Sequence, residues 1–241
     1  MRVTGSRAGG APVGEARAAG TVLQLLRPVA RTVPWRAVAA ASGLGLLAAA
    51  LPRLSGGEVT AWAAVTALRA AALSFALGAA FLLDDPARHT TAAVPVRRGL
   101  RLALRWVPLV PFAALWWTAA LLLVPEDARP PAGDVTVEAA TALVLALAGA
   151  AFAVRRDSAR PGQGVAAVLL VCAVLTPLLS PGDWGMFTEP ADPHWAAAHD
   201  RWAVLLCVLL VALAVSCAEP VRRRTLRAFR SPSGTSGPSR G

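Results

Sequence analysis

The chain has 241 residues, of which 56% are hydrophobic and only 16% charged, and its formal net charge is +10. A soluble globular domain has roughly 25% charged residues, and here the apolar residues form blocks of about 18 or more, long enough to cross a bilayer core, so the composition excludes an ordinary soluble protein. The positive charge does not indicate nucleic-acid binding, because the basic residues lie in loops between apolar blocks and no module remains to enter a groove.

The N-terminal region divides into two segments. Residues 1–20 are rich in Gly, Ala and Arg and are predicted to be a disordered cytoplasmic tail. In residues 21–35, apolar side chains recur near helical spacing around Arg27 and Arg31, which predicts a short amphipathic helix on the inner leaflet of the membrane. The alternative for this segment is a basic linker bound to anionic lipid. The first apolar block begins too late for a secretory signal, so we expect it to be retained.

Residues 36–220 predict an all-α membrane domain. Barrel strands would alternate polar and apolar residues, whereas these apolar blocks are continuous. Pro108 and Pro111 are expected to kink or loosen the start of the third helix. Residues 221–241 are expected to be a basic, disordered cytoplasmic tail. We predict a bundle of six transmembrane helices, at about 36–54, 61–83, 106–124, 135–154, 163–180 and 202–219.

The arginines predict the orientation of this bundle. With six spans and an internal N-terminus, 20 of the 24 basic residues, all of them arginine, fall on one side. Only Arg53, Arg129 and Arg201 fall on the other side. The positive-inside rule then places both termini in the cytoplasm and favours an even number of spans. Since the chain lacks lysine and is rich in Ala, Gly and Pro, it has the composition of a high-GC bacterial genome, and we expect it in a bacterial plasma membrane.

The inner loop after the second span reads DDPARHTTAAVPVRRGLRLALRW, from Asp84 to Trp106. Its two acids stand where the helix should end, although a negative charge at a helix C-terminus opposes the macrodipole. Arg97 and Arg101 lie one helical turn apart and would share one helix face. We interpret the loop as a cytoplasmic element that docks a partner subunit; the alternative is a solvated loop that only sets the topology.

These residues give the chain a resemblance to the type-2 ABC export permeases, the membrane subunits of ABC transporters. In that family an acidic residue ends the second span, and a threonine, a proline and a basic residue follow before the third span. The family also has six spans, inner termini and an amphipathic helix ahead of the first span. The corresponding residues here are Asp84 or Asp85, Thr90 or Thr91, Pro95 and Arg98.

The resemblance implies a permease subunit of an exporter. In the family this loop couples the membrane subunit to an ATPase, and the permease works as a homodimer or heterodimer of six-helix subunits. A phosphate-cradling loop of the GxxxxGK[ST] type requires a lysine, which this chain lacks, so the ATPase would be a separate subunit. The expected partners are therefore that ATPase, a second permease subunit and membrane lipid, with no nucleic acid.

Arg69 is the one charge placed well inside a predicted span. A charge in the hydrocarbon is costly, by about 2.5–3.5 kcal/mol at the bilayer centre on insertion scales. We predict an intramembrane charge pair between Arg69 and Glu138, which lies near the outer end of the fourth span. The alternative is that the Arg69 side chain extends outward to the interface.

Other chemistry-bearing residues indicate no enzyme. His194 and His199 are five residues apart in an acidic outer segment, a spacing that is weak for a metal site, and the three cysteines are interpreted as packing residues. The sequence has no HExxH pair, no paired intramembrane aspartates and no matched Ser–His arrangement. We therefore expect no catalytic, cofactor or metal site. The alternative to a permease is a non-transport polytopic membrane protein, such as an assembly partner, an immunity factor or a regulatory scaffold.

Overall fold

The structure, a computed structural model, describes residues 35–84, 106, 108–156, 158, 160–179 and 185–218. Throughout these ranges the regular structure is helical and no strand occurs. The expected interfacial helix at 21–35 lies outside the described residues apart from its last residue, as do most of the inner loop and both tails. Within the described ranges, six α-helices follow one another: α1 Trp35–Leu54, α2 Ala61–Ala80, α3 Leu109–Leu123, α4 Ala132–Arg155, α5 Pro161–Leu179 and α6 Trp195–Cys217.

Five of these helices, all except α3, are long and apolar enough to cross a membrane. Helix α3 is apolar but has only 15 residues, a length of about 22 Å at 1.5 Å per residue, against a hydrocarbon core of about 30 Å. It begins at Leu109, directly after Pro108. Pro111 falls in its first turn, where a proline removes no intrahelical hydrogen bond. The described ranges thus hold the helices of a multi-pass membrane protein, five of spanning length and one shorter.

Helices α2 and α4 form the centre of the bundle. Helix α1 packs along α2, α6 packs along α4, α5 lies against both α2 and α4, and α3 packs mainly on α1. In its most apolar stretch α2 has 56% of its residues buried, whereas α6 has 11%. Leu and Val side chains on α5 and α6 remain exposed, as expected of faces that meet lipid, because lipid is as apolar as those side chains.

The start of α2 is defined by its local sequence. Gly56, in the turn after α1, has a φ of 68°, a conformation that glycine adopts at no steric cost. Thr60 then caps α2, with its hydroxyl oxygen accepting a hydrogen bond from the Ala63 amide over 3.2 Å. Such a cap satisfies one of the first amides of a helix, which have no intrahelical partner.

Close contact between α1, α2 and α3 depends on Gly45. A Cβ added there would lie 2.6 Å from the Trp116 ring and 3.0 Å from the Ala71 carbonyl oxygen. The Trp116 ring stacks on Phe75 at 4.5 Å between centroids, and its indole N–H donates to the Ser42 carbonyl over 3.0 Å. A large aromatic side chain from α3 therefore fills the groove between the other two helices, and its polar atom is satisfied.

Candidate functional site

A buried ion pair joins the two central helices near one end of the bundle. Nε of Arg69, on α2, lies 2.7 Å from Oε2 of Glu138 on α4, and one terminal guanidinium nitrogen lies 2.8 Å from Oε1. The side chains are 14% and 6% exposed. A two-point contact of this kind matches the planar guanidinium to the carboxylate. The structure thus brings together the two residues of the predicted intramembrane pair, and Arg69 is held inside the bundle.

A third ionisable side chain, His199 of α6, completes this cluster. Its Nε2 lies 2.9 Å from Oε1 of Glu138, an ion-pair distance, although the two atoms are not aligned for a hydrogen bond. Its Nδ1 lies 2.8 Å from the Trp195 carbonyl oxygen. A carbonyl oxygen only accepts, so Nδ1 is the donor and the ring presents Nε2 to the carboxylate. We call Arg69, Glu138 and His199 the charge cluster.

The segment before α6 is tied to the same end of the bundle. Arg69 donates to the Thr188 carbonyl over 3.2 Å, and its guanidinium carbon lies 5.2 Å from the centre of the Phe187 ring. The indole N–H of Trp202 donates to the Met186 carbonyl over 2.8 Å, and Arg201 donates to the Gly185 carbonyl over 3.2 Å. Residues 185–188 are therefore fixed across the bundle end by side chains of α2 and α6.

A cavity of about 490 Å³ lies directly against the charge cluster. Arg69 and Glu138 form part of its wall, as do Met186 and Phe187 of the segment before α6. The remaining lining is mostly alkyl and aromatic, from Ala72, Leu73, Ala142, Leu145, Leu169, Ala173, Trp62 and Trp202, with the hydroxyls of Thr66, Thr141 and Thr176. Cavities of about 300–1,000 Å³ with an apolar lining and few polar groups are typical of small-molecule sites.

At the opposite end of the bundle, Asp84 connects α2 to α5. Its Oδ1 accepts a hydrogen bond from the Gly162 amide over 2.8 Å, and Gly162 is the second residue of α5. The amides at a helix N-terminus lack intrahelical partners and carry partial positive charge. An acid at the end of α2 is therefore stabilised by the start of the neighbouring helix.

The other residues predicted to couple an ATPase (Asp85, Thr90, Thr91, Pro95 and Arg98) lie outside the described residues. No group of three or more potential metal ligands occurs in the part of the chain that the structure describes. His194 contacts Asp192 instead of a metal cluster. The backbone N–H of His194 donates to Oδ1 of Asp192 over 2.7 Å and lowers the pKa of that carboxyl below its ordinary value, and the His194 imidazole adds to the effect.

The participation of His199 was not predicted from the sequence. The polar run His199, Asp200 and Arg201 resembled the end of a loop, so the sixth span was expected to begin at residue 202, whereas α6 begins at Trp195. The alanines after Trp195 favour helix. If the sixth helix is extended back from Trp202, His199 lies three residues earlier, on the same helix face as Trp202. A histidine within the first turns of an apolar helix was the available signal.

No protein-family model, curated protein or solved structure matches this chain.

Proposed function

We propose that this chain is the membrane-spanning permease subunit of a bacterial ABC exporter, working with a separate ATPase subunit. The proposal includes six spans, with α3 as the third, both termini in the cytoplasm and a dimer of permease subunits. Its strongest support is the arginine-rich loop that follows α2, with its order of acid, threonine, proline and arginine. Twenty arginines on one proposed face of the membrane support the orientation.

Asp84 links the start of this loop to the bundle. Its bond to the Gly162 amide fixes the point at which the loop leaves the bundle, next to the start of α5. A partner that moves the loop would therefore act on α2 and α5 together. The same bond gives Asp84 a role in packing the bundle, so the loss of an ATPase after substitution of Asp84 would not identify a docking residue.

Substitution of Arg98 is the test of docking that we propose in place of substitution of Asp84. The tagged chain would be purified from its native host in mild detergent, and co-purifying proteins would be searched for an ATPase with a GxxxxGK[ST] loop. We expect an ATPase with the wild type, and less of it with Arg98→Ala. Arg160→Ala is the matched control, because Arg160 is exposed at the start of α5, on the same proposed side of the membrane.

Recovery of the chain without any ATPase would overturn the permease proposal. In that case the alternative from the sequence, a non-transport polytopic membrane protein, would account for the bundle. If Arg98→Ala and Arg160→Ala lose the ATPase equally, the ATPase remains a partner of the chain. Arg98 would then have no specific role in docking it.

A further inference from the structure

The cavity beside the charge cluster lies among the membrane-spanning helices. Its lining on α5 extends from Leu169 to Pro177, a rise of about 12 Å along the helix in the half that ends near residues 185–188. Glu138 and Arg69 mark the same depth on α4 and α2. If the five long helices cross the membrane, the cavity lies at hydrocarbon depth in one half of the bilayer, with Met186 and Phe187 in its lining.

The side of the cavity is open next to α5, toward both α6 and α2. Helix α5 packs on α2 and α4, α6 packs on α4, and the described residues of α5 and α6 make little contact with each other. Cys172 and Pro177, which line the cavity from α5, are exposed, and so are Trp62 and Thr66, which line it from α2. A molecule would therefore enter sideways from the lipid, past α5.

The chemistry of the wall selects an uncharged ligand. Arg69 and Glu138 satisfy each other through two hydrogen bonds, so neither offers a free charge. A charged ligand would lose its hydration in a mostly alkyl and aromatic cavity without gaining an ion pair. The Thr66 and Thr141 side chains supply hydroxyls at the wall, and the Trp62 and Trp202 rings supply flat apolar area.

We propose that this cavity binds one uncharged, lipophilic molecule that enters from the hydrocarbon of the membrane. If the chain is a permease, the cavity would be a substrate site within a single subunit. Binding itself requires neither an ATPase nor a second subunit, so it can be measured on the purified chain, and the two proposals can fail separately.

The test uses photolabelling of the chain in nanodiscs. The probe is 1-hexadecanol carrying a diazirine, and the labelled residues are mapped by mass spectrometry with and without excess unmodified hexadecanol. We expect a saturable, competed component on the cavity wall, within Leu169–Pro177 or near Trp202. Lipid-facing positions would also be labelled, but without saturation. The diazirine-bearing fatty acid and fatty amine of equal length should lack the saturable component.

Two variants that fill the cavity have a matched control. Ala173→Phe, on α5, and Ala142→Phe, on α4, place a ring in the cavity, whereas Ala167→Phe adds the same ring at an exposed position of α5 outside the lining. We expect either filling variant that retains the wild-type melting temperature to lose the saturable labelling and the control to keep it. If neither filling variant folds, the wild-type competition result alone decides.

Three outcomes would overturn the proposal. Labelling of the wild type without a saturable component would show that the cavity holds no ligand of this kind. Equal saturable labelling in the filling variants and the Ala167→Phe control would place the ligand elsewhere. Stronger labelling by the fatty acid or the fatty amine would show that the site selects charge and would reject the proposed ligand class.

Discussion

At the scale of single residues, Glu138 lies beside both Arg69 and His199 and is the acidic member of the charge cluster. Glu138→Ala removes the partner of a guanidinium that is 14% exposed, and a buried pair broken in this way typically costs about 3–5 kcal/mol. Arg69→Ala should also destabilise the bundle, because it leaves the carboxylate beside His199 alone. The double variant should lose less stability than the sum of the two single losses, because it leaves neither an unpaired guanidinium nor an unpaired carboxylate of this pair.

The free energy of unfolding, measured by titration with denaturing detergent, checks this expectation. Glu58→Ala is the matched control, because Glu58 is an exposed carboxylate in the turn before α2, and a surface substitution of this kind usually changes stability by less than about 0.5 kcal/mol. Additive losses from the Arg69 and Glu138 variants would contradict the paired arrangement.

A second residue-scale prediction concerns Asp192 and pH. The pKa of this carboxyl is lowered in the folded chain by the His194 amide, so its ionised form stabilises the turn before α6. That stabilisation is present above the ordinary pKa of an aspartate and is lost as the pH falls through the lowered value. We expect the protection of the His194 amide from hydrogen exchange to decrease over that acidic range.

The comparison variant is Asp192→Ala, which removes the acceptor. Protection of the His194 amide should then be low at all pH values and should no longer change in the acidic range. A protection that still falls with acidification in Asp192→Ala would assign the pH dependence to another group.

At the scale of the helices, α1 offers two glycines in different surroundings. Gly45→Ala places a Cβ against the Trp116 ring and the Ala71 carbonyl, whereas nothing lies within 4 Å of a Cβ at Gly43. Overpacking typically costs about 1–3 kcal/mol, so Gly45→Ala should be destabilised by that amount. Gly43→Ala should be neutral or more stable, because alanine favours helix over glycine by up to about 1 kcal/mol.

Thermal unfolding of both variants in one detergent, with the summed tryptophan emission as a second signal, would test the close contact of α1, α2 and α3. Only Gly45→Ala should shift the emission, because only its Cβ meets the indole. Equal stability of the two variants would mean that the three helices lie further apart than the structure has them.

The sequence predicts helix ends well where an apolar run meets a charge or a proline. Helix α1, expected at 36–54, spans Trp35–Leu54, and α5, expected at 163–180, spans Pro161–Leu179. Sequence-based prediction of helix ends fails where a polar side chain finds its polar contacts inside the bundle. His199 is polar in the sequence but faces Glu138 in the structure, so hydropathy placed it outside α6.

The candidate site was predictable only in part for a related reason. Arg69 and Glu138 were identified because two opposite charges within apolar runs need partners. The cavity could not be inferred, because it depends on how far α5 and α6 stand apart, and that separation depends on side-chain packing between helices. The bond from the Gly162 amide to Asp84 joins residues 78 positions apart, a separation at which no local pattern operates.

At the scale of the whole molecule, the number of crossings decides which loops share a side of the membrane, and α3 is the critical helix. With α3 crossing and the N-terminus inside, residues 87 and 158 lie inside and residue 191 outside. If α3 does not cross, residue 158 moves outside and residue 191 inside. The arginine distribution favours the first arrangement, because only then do Arg155, Arg156 and Arg160 share a side with the loop after α2.

Single cysteines at Ala87, Ser158 and Ala191, in a chain whose three native cysteines are replaced by serine, separate these arrangements. We expect a membrane-impermeant maleimide to label Ala191→Cys in intact cells, because Ala191 is exposed in the turn before α6. Ala87→Cys and Ser158→Cys should react only after permeabilisation. External labelling of Ser158→Cys together with protection of Ala191→Cys would show that the 15-residue α3 does not cross. External labelling of Ala87→Cys would show that the bundle has the opposite orientation. The arginine-rich loop would then lie outside the cell, where no cytoplasmic ATPase could reach it.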